Sequence, residues 1–253
     1  MASDSPLVSI IMPAHNSEQF IGMAIDSVRA QTYQNWELIV INDQSTDRTC
    51  EIVKSYEQHD KRISLHDTDY HNGMPSAPRN TGVRLAKGRF ISFLDSDDLW
   101  YPFKLEQQIP LFCNDNVAIV YSNYEKIDED GNGANRIVRA PKSATYSKLL
   151  LGNIIGNLTG VYDCKKVGMI PFMDIHHEDY VMWLTILKQG FIAQNTNTTT
   201  AAYRIVESSV SSNKLRVLSW QWNIYRNIEK FGILQSCYYF ANYAIKAYIK
   251  STI

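Results

Sequence analysis

The 253-residue sequence lacks several features that define whole classes of proteins. It has no charge excess, because 25 Lys and Arg face 26 Asp and Glu, and this removes a general attraction to nucleic acid. It has no uncharged apolar run long enough to cross a bilayer, and no basic amino-terminal region followed by an apolar stretch that would indicate a signal peptide. We therefore expect a cytoplasmic protein that does not bind nucleic acid.

Cysteines and glycine-rich loops are also scarce. The sequence has no G-x-x-x-x-G-K-[ST] loop and no G-x-G-x-x-G after its first apolar run, so a glycine-rich cradle for a nucleotide is excluded. The cysteines are scattered and form no C-x-x-C pair, which argues against a zinc site or a disulfide framework. They are Cys50, Cys113, Cys164 and Cys237.

What the chain does have is a regular alternation of two patterns. Short β-branched apolar runs alternate with segments whose apolar residues recur at helical spacing. This order predicts an α/β fold, with a mostly parallel central sheet flanked by helices. The predicted strands cover residues 7–12, 37–41, 62–67 and 89–94, and the predicted helices cover residues 18–30, 45–58 and a segment that ends at residue 86.

Polar residues gather where three of these predicted strands end. PAHNSE (13–18), NDQSTD (42–47) and DSDD (95–98) follow the first, second and fourth strands. Ligands of such sheets bind outside the carboxyl ends of the strands, so we expect the three clusters to meet at one edge. Each cluster could alternatively be a helix cap or a solvated turn, with Ser17 capping the first helix. Their placement on three strand ends favours a ligand site.

The DSDD cluster ends a buried strand with like charges, which raise one another's pKa values unless a cation is present. Asp95 and Asp97 form an Asp-x-Asp pair that offers hard oxygen ligands to a divalent ion. Mg²⁺ and Mn²⁺ both suit such ligands and keep positions open for phosphates. A metal here would also neutralise a diphosphate leaving group.

Four motifs, taken in order and spacing, resemble those of family 2 glycosyltransferases. They are VSIIMPAHNSEQFI, WELIVINDQSTDRT, GMPSAPRNTGVRLAKGRFISFLDSDDLW and HHEDYVMWLTILKQGF, and the resemblance runs from about Leu7 to Arg204. The family has the GT-A fold, and many members act in bacterial polysaccharide assembly, including that of O-antigen and capsule. The resemblance implies inversion at the anomeric carbon of the donor sugar.

The resemblance also implies roles for individual residues. Asp95 and Asp97 would hold Mn²⁺ or Mg²⁺, and Asp179 would be the catalytic base. Asp43 would accept from the uracil ring, and Arg79 would lie near the base and phosphates. The residues expected to bind the nucleotide sugar are Pro13, His15, Asn16, Glu18, Asp43, Arg79, Asp95, Ser96 and Asp97.

Residue chemistry supports two of these roles, and two positions depart from the family pattern. An Asp43 that faces N3–H of uracil would favour uridine or thymidine nucleotides, because cytosine has no N3–H donor. Arg79 stands at the predicted start of a helix, where free N–H groups suit an anion, although a surface ion pair is the alternative. His15 stands where Tyr is common. Gln44 stands where Gly is common, so the loop backbone must adjust to a positive φ.

Two segments of the second half carry further candidates. Residues 149–162 either line the sugar pocket, through Asn157 or Thr159, or form a buried loop between core elements. Residues 174–190 predict a loop that enters a helix.

This placement puts Glu178 and Asp179 at the helix amino terminus, where the dipole favours an ionised carboxylate. Both residues could alternatively serve only as caps. His176 and His177 are adjacent, so they are expected to be loop or acceptor-pocket residues rather than metal ligands.

The chain divides into residues 1–212, a GT-A domain, and residues 213–253, an amphipathic helical segment. Residues 1–98 would form the nucleotide-binding half and residues 99–212 the acceptor-binding half. The carboxyl-terminal segment carries six basic residues and one acid among many aromatics, and two helices should meet near Gly232. Such faces suit an anionic membrane surface. The alternatives are helices that close the core or form a homodimer interface.

The expected function is metal-dependent transfer of a sugar from a UDP-sugar. The acceptor would be a hydroxyl of a growing glycan, on a lipid carrier at the inner face of the cell membrane. A nucleotide-sugar pyrophosphorylase is a second interpretation, although such an enzyme would need a glycine-rich loop after the first strand, and this sequence has none there. A binding module without turnover is a third.

Overall fold

The computed structural model describes residues 5–205 and 214–252. The strands are β1 (Val8–Ala14), β2 (Trp36–Asn42), β3 (Ile63–Asp67), β4 (Phe90–Phe93), β5 (Leu99–Trp100), β6 (Val117–Ile127), β7 (Gly133–Val138), β8 (Ser143–Ala144), β9 (Val161–Asp163) and β10 (Ile192–Arg204). The α-helices are α1 (Ile21–Arg29), α2 (Thr49–His59), α3 (Ser76–Leu85), α4 (Lys104–Gln108), α5 (Tyr146–Leu149), α6 (Cys164–Val167), α7 (Glu178–Leu187), α8 (Lys214–Asn223) and α9 (Ile233–Thr252).

These strands form one sheet in the order β3-β2-β1-β4-β9-β6-β10-β5, with β7 beside β6 and β8 beside β10. The first four strands pair in parallel, as the alternation of strands and helices predicts. Beyond β4 the sheet is mixed, because β9 runs antiparallel to both β4 and β6. The α/β fold class is confirmed, and the parallel arrangement belongs to the amino-terminal half.

Strand β1 lies inside this parallel half because it is apolar on both faces. Val8 and Ile10 belong to one core cluster and Ile11 to the other, so helices cover both sides. On the side of Val8, helix α1 packs its apolar stripe of Ile21, Ala24, Ile25 and Val28.

Helix α3 approaches the other face of β1 closely at Gly82. A Cβ atom built there would lie 2.4 Å from Ile11 Cγ2, a distance that no side chain tolerates. The absence of a side chain at residue 82 therefore sets the depth of α3 against the sheet. Arg79 lies three residues earlier on this helix and is also buried.

Two helices begin later than predicted, because the residues before them form loops. Helix α1 starts at Ile21 and α2 at Thr49. The prediction that Ser17 caps α1 is wrong, since its hydroxyl contacts the Ser96 hydroxyl at 2.7 Å and no side chain caps the helix.

Helix α3, in contrast, begins early, at Ser76. Arg79 consequently lies inside the helix, and its N–H donates to the Pro75 carbonyl at 3.3 Å. The prediction of free N–H groups at Arg79 is wrong. The arginine acts through its side chain instead.

The carboxyl-terminal segment forms α8, a π-helical turn (Ile224–Ile228) and α9, so the predicted pair of helices around Gly232 is confirmed. The segment closes the core: Tyr225 is fully buried, and its hydroxyl donates to the Leu150 carbonyl at 2.6 Å. Lys188 Nζ donates to buried Glu229 at 2.7 Å. The predicted boundary at residues 212–213 falls in 206–213, outside the described residues.

Helix α9 also leaves an apolar face exposed. Leu234 is 85% exposed, and Ile233, Tyr238 and Ile245 are each more than half exposed. Across the part of the chain that the structure describes, no helix combines the length and the hydropathy needed to span a bilayer.

Candidate functional site

The three polar clusters meet at the carboxyl ends of β1, β2 and β4, as predicted. The Ser17 and Ser96 hydroxyls, from the first and third clusters, lie 2.7 Å apart. The Asn16 N–H donates to Ser45 Oγ at 3.1 Å, which joins the first cluster to the second. Side chains from three strand ends therefore share one site.

A cavity of about 470 Å³ opens at this edge. Its walls include Pro13, His15 and Asp43, which the sequence predicts, together with His71 and the residues that lead into α3. The volume is in the range of small-molecule sites. Asn16 and Glu18 do not line this cavity.

The tautomer of His15 follows from its neighbours. The Thr46 N–H donates to Asn16 Oδ1 at 2.8 Å, so the Asn16 amide nitrogen must face His15 Nε2, 3.3 Å away. Nε2 then accepts, and the proton on Nδ1 is donated to the Asp43 carbonyl at 2.6 Å. The network assigns His15 the Nδ1–H tautomer and fixes its ring in the cavity wall.

Asp43 has a partner that the sequence did not indicate. Its Oδ1 lies 2.9 Å from His71 Nδ1, and both side chains line the cavity. The contact engages one carboxylate oxygen and fixes the orientation of the group. The pattern around His71 gave no signal, since a lone histidine in a loop has many possible roles.

Asn16 and Glu18 act on the neighbouring loop. Glu18 Oε2 accepts from the Arg48 N–H at 3.0 Å, and the Glu18 N–H donates to Asp47 Oδ2 at 3.0 Å. Their side chains hold the β2–α2 loop in place, and their predicted contact with a nucleotide remains a prediction.

Three of the five non-glycine residues with positive φ in the described part of the chain lie near this site, the other two being Asn197 and Lys230. Asn16, Gln44 and His177 have φ values of 46°, 60° and 61°, in the left-handed region that non-glycine residues seldom adopt. Each such residue costs on the order of 1–3 kcal/mol and persists where surrounding contacts hold it. The adjusted backbone expected at Gln44 is confirmed.

Arg79 joins the end of β4 to the start of α7. Its Nη2 donates to Asp95 Oδ1 at 2.6 Å, and its Nη1 pairs with Glu178 Oε1. Burial lowers the pKa of the guanidinium, yet these carboxylates raise it above its usual value. The alternative of a surface ion pair is wrong, because the Arg79 side chain is only 7% exposed.

The other acids of the DSDD cluster differ in environment. Burial and the nearby Asp95 charge raise the pKa of Asp97. Asp98 is fully buried, and its Oδ1 accepts from the Arg204 N–H at 2.9 Å. Arg204 Nε also donates to the Asp97 carbonyl at 2.9 Å, so the end of β10 fixes the Asp-x-Asp loop.

The donor set of Asp95 and Asp97 fits a divalent cation, because repulsion between two oxygen-only groups is relieved by positive charge. Within residues 5–205 and 214–252, no group of three His, Cys, Asp or Glu side chains is arranged to hold a metal. Water and a bound diphosphate would have to complete the coordination.

Asp179 lies in the first turn of α7, as predicted. Asn153 Nδ2 donates to its Oδ2 at 3.1 Å. The expectation that the helix dipole keeps this pKa low is wrong: burial raises the pKa of Asp179, and the Arg79 charge only partly offsets that effect. Burial likewise raises the pKa of Glu178.

Comparison with protein families shows to which family the chain that carries this site belongs. The model described as Glycosyl transferase family 2 matches residues 9–170, which include the three strand ends, Arg79 and the Asp-x-Asp pair. The chain belongs to glycosyltransferase family 2. It is a glycosyltransferase, which decides against a pyrophosphorylase and a binding module without turnover.

Two bacterial relatives span almost the whole glycosyltransferase. The Escherichia coli UDP-Glc:alpha-D-GlcNAc-diphosphoundecaprenol beta-1,3-glucosyltransferase WfgD is 42% identical over 243 residues, covering 96% of this chain and 94% of WfgD. The putative teichuronic acid biosynthesis glycosyltransferase TuaG of Bacillus subtilis is 36% identical over 248 residues, covering 98% of each chain.

Solved structures show the same fold at lower identity. The structure of S. aureus TarS 1–349 in complex with UDP-GlcNAc has a TM-score of 0.70, with 19% identity, covering 94% of this chain and 71% of TarS. The mannosyltransferase PcManGT from Pyrobaculum calidifontis, in complex with GDP-Man and Mn²⁺, has a TM-score of 0.71, also with 19% identity, covering 95% of this chain and 72% of PcManGT. These likenesses confirm the GT-A fold.

The adjacent histidines of this glycosyltransferase pack against the carboxyl-terminal segment. The His176 ring stacks on Trp220 with centroids 3.9 Å apart, and His177 meets the same indole edge-on at 5.5 Å. Helix α8 thus supports the loop before Asp179, a contact that no local sequence pattern predicts.

The two candidate sugar-binding residues in the 149–162 segment, Asn157 and Thr159, have different surroundings. Thr159 is fully buried, and its hydroxyl donates to the Gly156 carbonyl at 2.7 Å, so it belongs to the core. Both amide atoms of Asn157 are buried without a hydrogen-bond partner among the described residues. The buried-loop interpretation holds for Thr159, and a sugar contact at Asn157 remains a prediction.

Proposed function

We propose that this glycosyltransferase transfers a sugar from a UDP-sugar to a hydroxyl of a lipid-linked glycan, with inversion at the anomeric carbon and with Mn²⁺ or Mg²⁺ bound. One observation carries the proposal: Arg79 links Asp95 of the Asp-x-Asp pair, which follows β4, to Glu178 in the helix turn that also holds Asp179. Such an arrangement supplies a diphosphate site and a proton acceptor close together.

Asp43 supports uracil as the base of the donor. With Oδ1 held by His71, the carboxylate is oriented in a cavity that also presents the flat His15 ring. A hydrogen bond from N3–H of uracil to this charged group would contribute roughly 1.5–3 kcal/mol. The name of the relative WfgD, which includes UDP-Glc, agrees with this choice.

Asp95 and Asp97 would hold the divalent cation. When bound, the cation would neutralise negative charge on the diphosphate as UDP departs. Arg79 contributes a second, permanent positive charge at the same strand end. The two carboxylates, through the cation, and the guanidinium would thus hold the diphosphate in one orientation.

Asp179 would take the proton of the acceptor hydroxyl. In the displacement, the acceptor oxygen forms a bond to the anomeric carbon as the bond to the UDP oxygen breaks, and the hydroxyl proton moves to the Asp179 carboxylate. Attack opposite the leaving group inverts the anomeric carbon. The base must be ionised, so activity should fall as pH drops through its raised pKa.

The names of two relatives support the proposed acceptor class. The name of WfgD specifies alpha-D-GlcNAc-diphosphoundecaprenol, and WfaP of Escherichia coli, 38% identical over 222 residues, has the same substrate in its name. We extend the lipid-linked sugar diphosphate to this chain. An acceptor anchored in a bilayer requires the enzyme to work at the membrane surface.

The exposed face of α9 is the surface proposed to contact that membrane. It presents Leu234 and Ile245 on a segment with a net charge of +5, which suits an anionic bilayer. Leu234→Gln combined with Ile245→Gln should abolish co-sedimentation with liposomes that contain anionic lipid. Met23→Gln, at an exposed position on α1, is the control and should change nothing.

If the α9 variant stays liposome-bound, the membrane role fails. If instead the wild-type protein is a dimer without lipid and the variant is a monomer, the face is a dimer interface.

The transfer itself is tested with a panel of UDP-, GDP- and CDP-sugars, Mn²⁺, and a GlcNAc diphosphate on a short alkyl chain. We expect product from a UDP-sugar only, with a β-linkage formed from an α-linked donor. Turnover with a GDP- or CDP-sugar alone, or retention of configuration, would contradict the proposal.

A further inference from the structure

A second cavity, of about 220 Å³, shares no lining residue with the first and includes Asn153, whose amide contacts Asp179. The end of β7 and the residues that follow it form one wall, and the segment between α5 and β9 forms the other. The volume is below that of typical drug-sized sites, so it suits a single small ring.

One wall of this second cavity is fixed from within the core. The Ala140 N–H donates to Asn123 Oδ1 at 2.9 Å, and Asn195 Nδ2 donates to the Ala140 carbonyl at 2.9 Å. Asn123 and Asn195 are both buried, and the Tyr121 hydroxyl donates to the Pro141 carbonyl at 2.6 Å. A wall held by buried amides is preformed, as binding sites usually are.

Asn153 joins the second cavity to the proposed base. It lines the cavity, and its Oδ1 accepts from the Ile155 N–H at 3.1 Å. This bond fixes the amide orientation, so Nδ2 is the atom that donates to Asp179 Oδ2 at 3.1 Å. A ring in the cavity would therefore lie beside the carboxylate that accepts a proton.

The remaining lining groups have the chemistry of a sugar site. The Tyr124 ring offers an apolar surface, and residue 156 is a glycine whose Cβ would come within 3.1 Å of that ring. Arg139 lines the same cavity, is exposed, and makes no ion pair with any described residue. An aromatic ring, an amide and an unpaired guanidinium together suit a sugar attached to an anionic group.

We propose that the second cavity is the acceptor subsite, in which Tyr124 and Asn153 contact the sugar that receives the new bond and Arg139 contacts its diphosphate. The inference rests on the proposed function. It adds the location of the acceptor and the residue that distinguishes a sugar diphosphate from a neutral glycoside.

The test compares two acceptors and two arginine variants. The acceptors are GlcNAc diphosphate on a short alkyl chain and the neutral alkyl glycoside of GlcNAc. Arg139→Ala should raise KM for the diphosphate acceptor at least about tenfold, leave KM for the neutral glycoside nearly unchanged, and leave UDP affinity unchanged. The control is Arg136→Ala, an exposed arginine three residues earlier on β7, which should behave like wild type.

Asn153 is a positioning residue in this proposal, and its readout is the pH profile. Arg79, Asp95 and the Tyr180 N–H also act on Asp179, and all of them are retained in Asn153→Ala. Removal of the amide donor should lower kcat and move the acid limb of the kcat profile to higher pH. A loss of activity at every pH without that displacement would indicate a merely structural role.

The outcomes separate this proposal from the proposed function. If the wild-type protein transfers sugar to neither acceptor, the proposed function fails and the subsite fails with it. If the wild-type protein transfers sugar but Arg139→Ala matches Arg136→Ala with both acceptors, only the subsite is overturned.

Discussion

The buried ion pairs of Arg79 allow one prediction to be worked out in detail. Arg79→Leu removes the cation that faces Glu178 and Asp95 while keeping an apolar side chain on α3. Glu178 is only 8% exposed, so its carboxylate would be left buried without its counter-charge. Breaking a buried pair by removing one partner typically costs about 3–5 kcal/mol, and we expect this loss in the free energy of unfolding near pH 8.

The cost should depend on pH in a defined direction. Burial already raises the pKa of Glu178 and Arg79 lowers it, so the variant's folded-state pKa must rise further above the unfolded value. The folded state then holds more protons than the unfolded state, and stability falls as pH rises between the two values. The loss in the free energy of unfolding of Arg79→Leu, relative to wild type, should therefore be larger at pH 8 than at pH 5.

Urea denaturation at both pH values, in EDTA, measures this difference. Arg48→Leu is a matched control, because Arg48 and Glu51 form an ion pair whose side chains are 70% and 67% exposed. Exposed pairs contribute little, so the control should unfold like wild type. An equal loss in both variants, or a loss for Arg79→Leu that is the same at pH 5 and pH 8, would refute the reasoning.

Three further predictions concern ligand binding and packing. Asp97→Asn should weaken binding of UDP in Mn²⁺ at least about tenfold, on the order of 1.4 kcal/mol, and equal UDP affinity with and without EDTA in the wild type would remove the metal from the account. Asp43→Ala should lower UDP affinity but not CDP affinity in calorimetry; unchanged UDP affinity would leave Asp43 as a loop residue only. Gly82→Ala should destabilise the fold by about 1–3 kcal/mol through its clash with Ile11, while Gly22→Ala in α1, whose nearest neighbour is 3.6 Å away, should not.

The strand ends could be predicted because their signals are local. An apolar run that stops at PAHNSE, NDQSTD or DSDD indicates both the strand and the polar edge at which it ends, and parallel topology then brings the clusters together. Asp43 and Asp95 lie at this edge as the pattern predicts, and Asp179 lies in the first turn of α7, but the functional roles of all three stay predictions. The positive φ expected at Gln44 is confirmed.

The helix starts and several site partners could not be predicted, because tertiary contacts decide them. Ser17 has the residue type of a cap, yet a hydroxyl from β4's loop, 79 positions away, competes for its side chain. His71 and Asn153 come from segments without periodicity, and the helical pattern around Trp220 does not indicate which loop it contacts. The roles of all three exist only once distant segments meet. The sequence places Glu178 only at the start of a helix, but its ion pair with Arg79 makes it part of the site's electrostatics.

The most direct test of the account is turnover by Asp179→Asn, which keeps the shape of the side chain and removes the base. The variant should transfer sugar about 10²–10⁴ times more slowly, with UDP and Mn²⁺ affinity nearly unchanged. Asp174→Asn, on the exposed loop before α7, should keep wild-type turnover. Near-normal transfer by Asp179→Asn, or a defect that lies entirely in UDP binding, would contradict the assignment of Asp179 as the catalytic base.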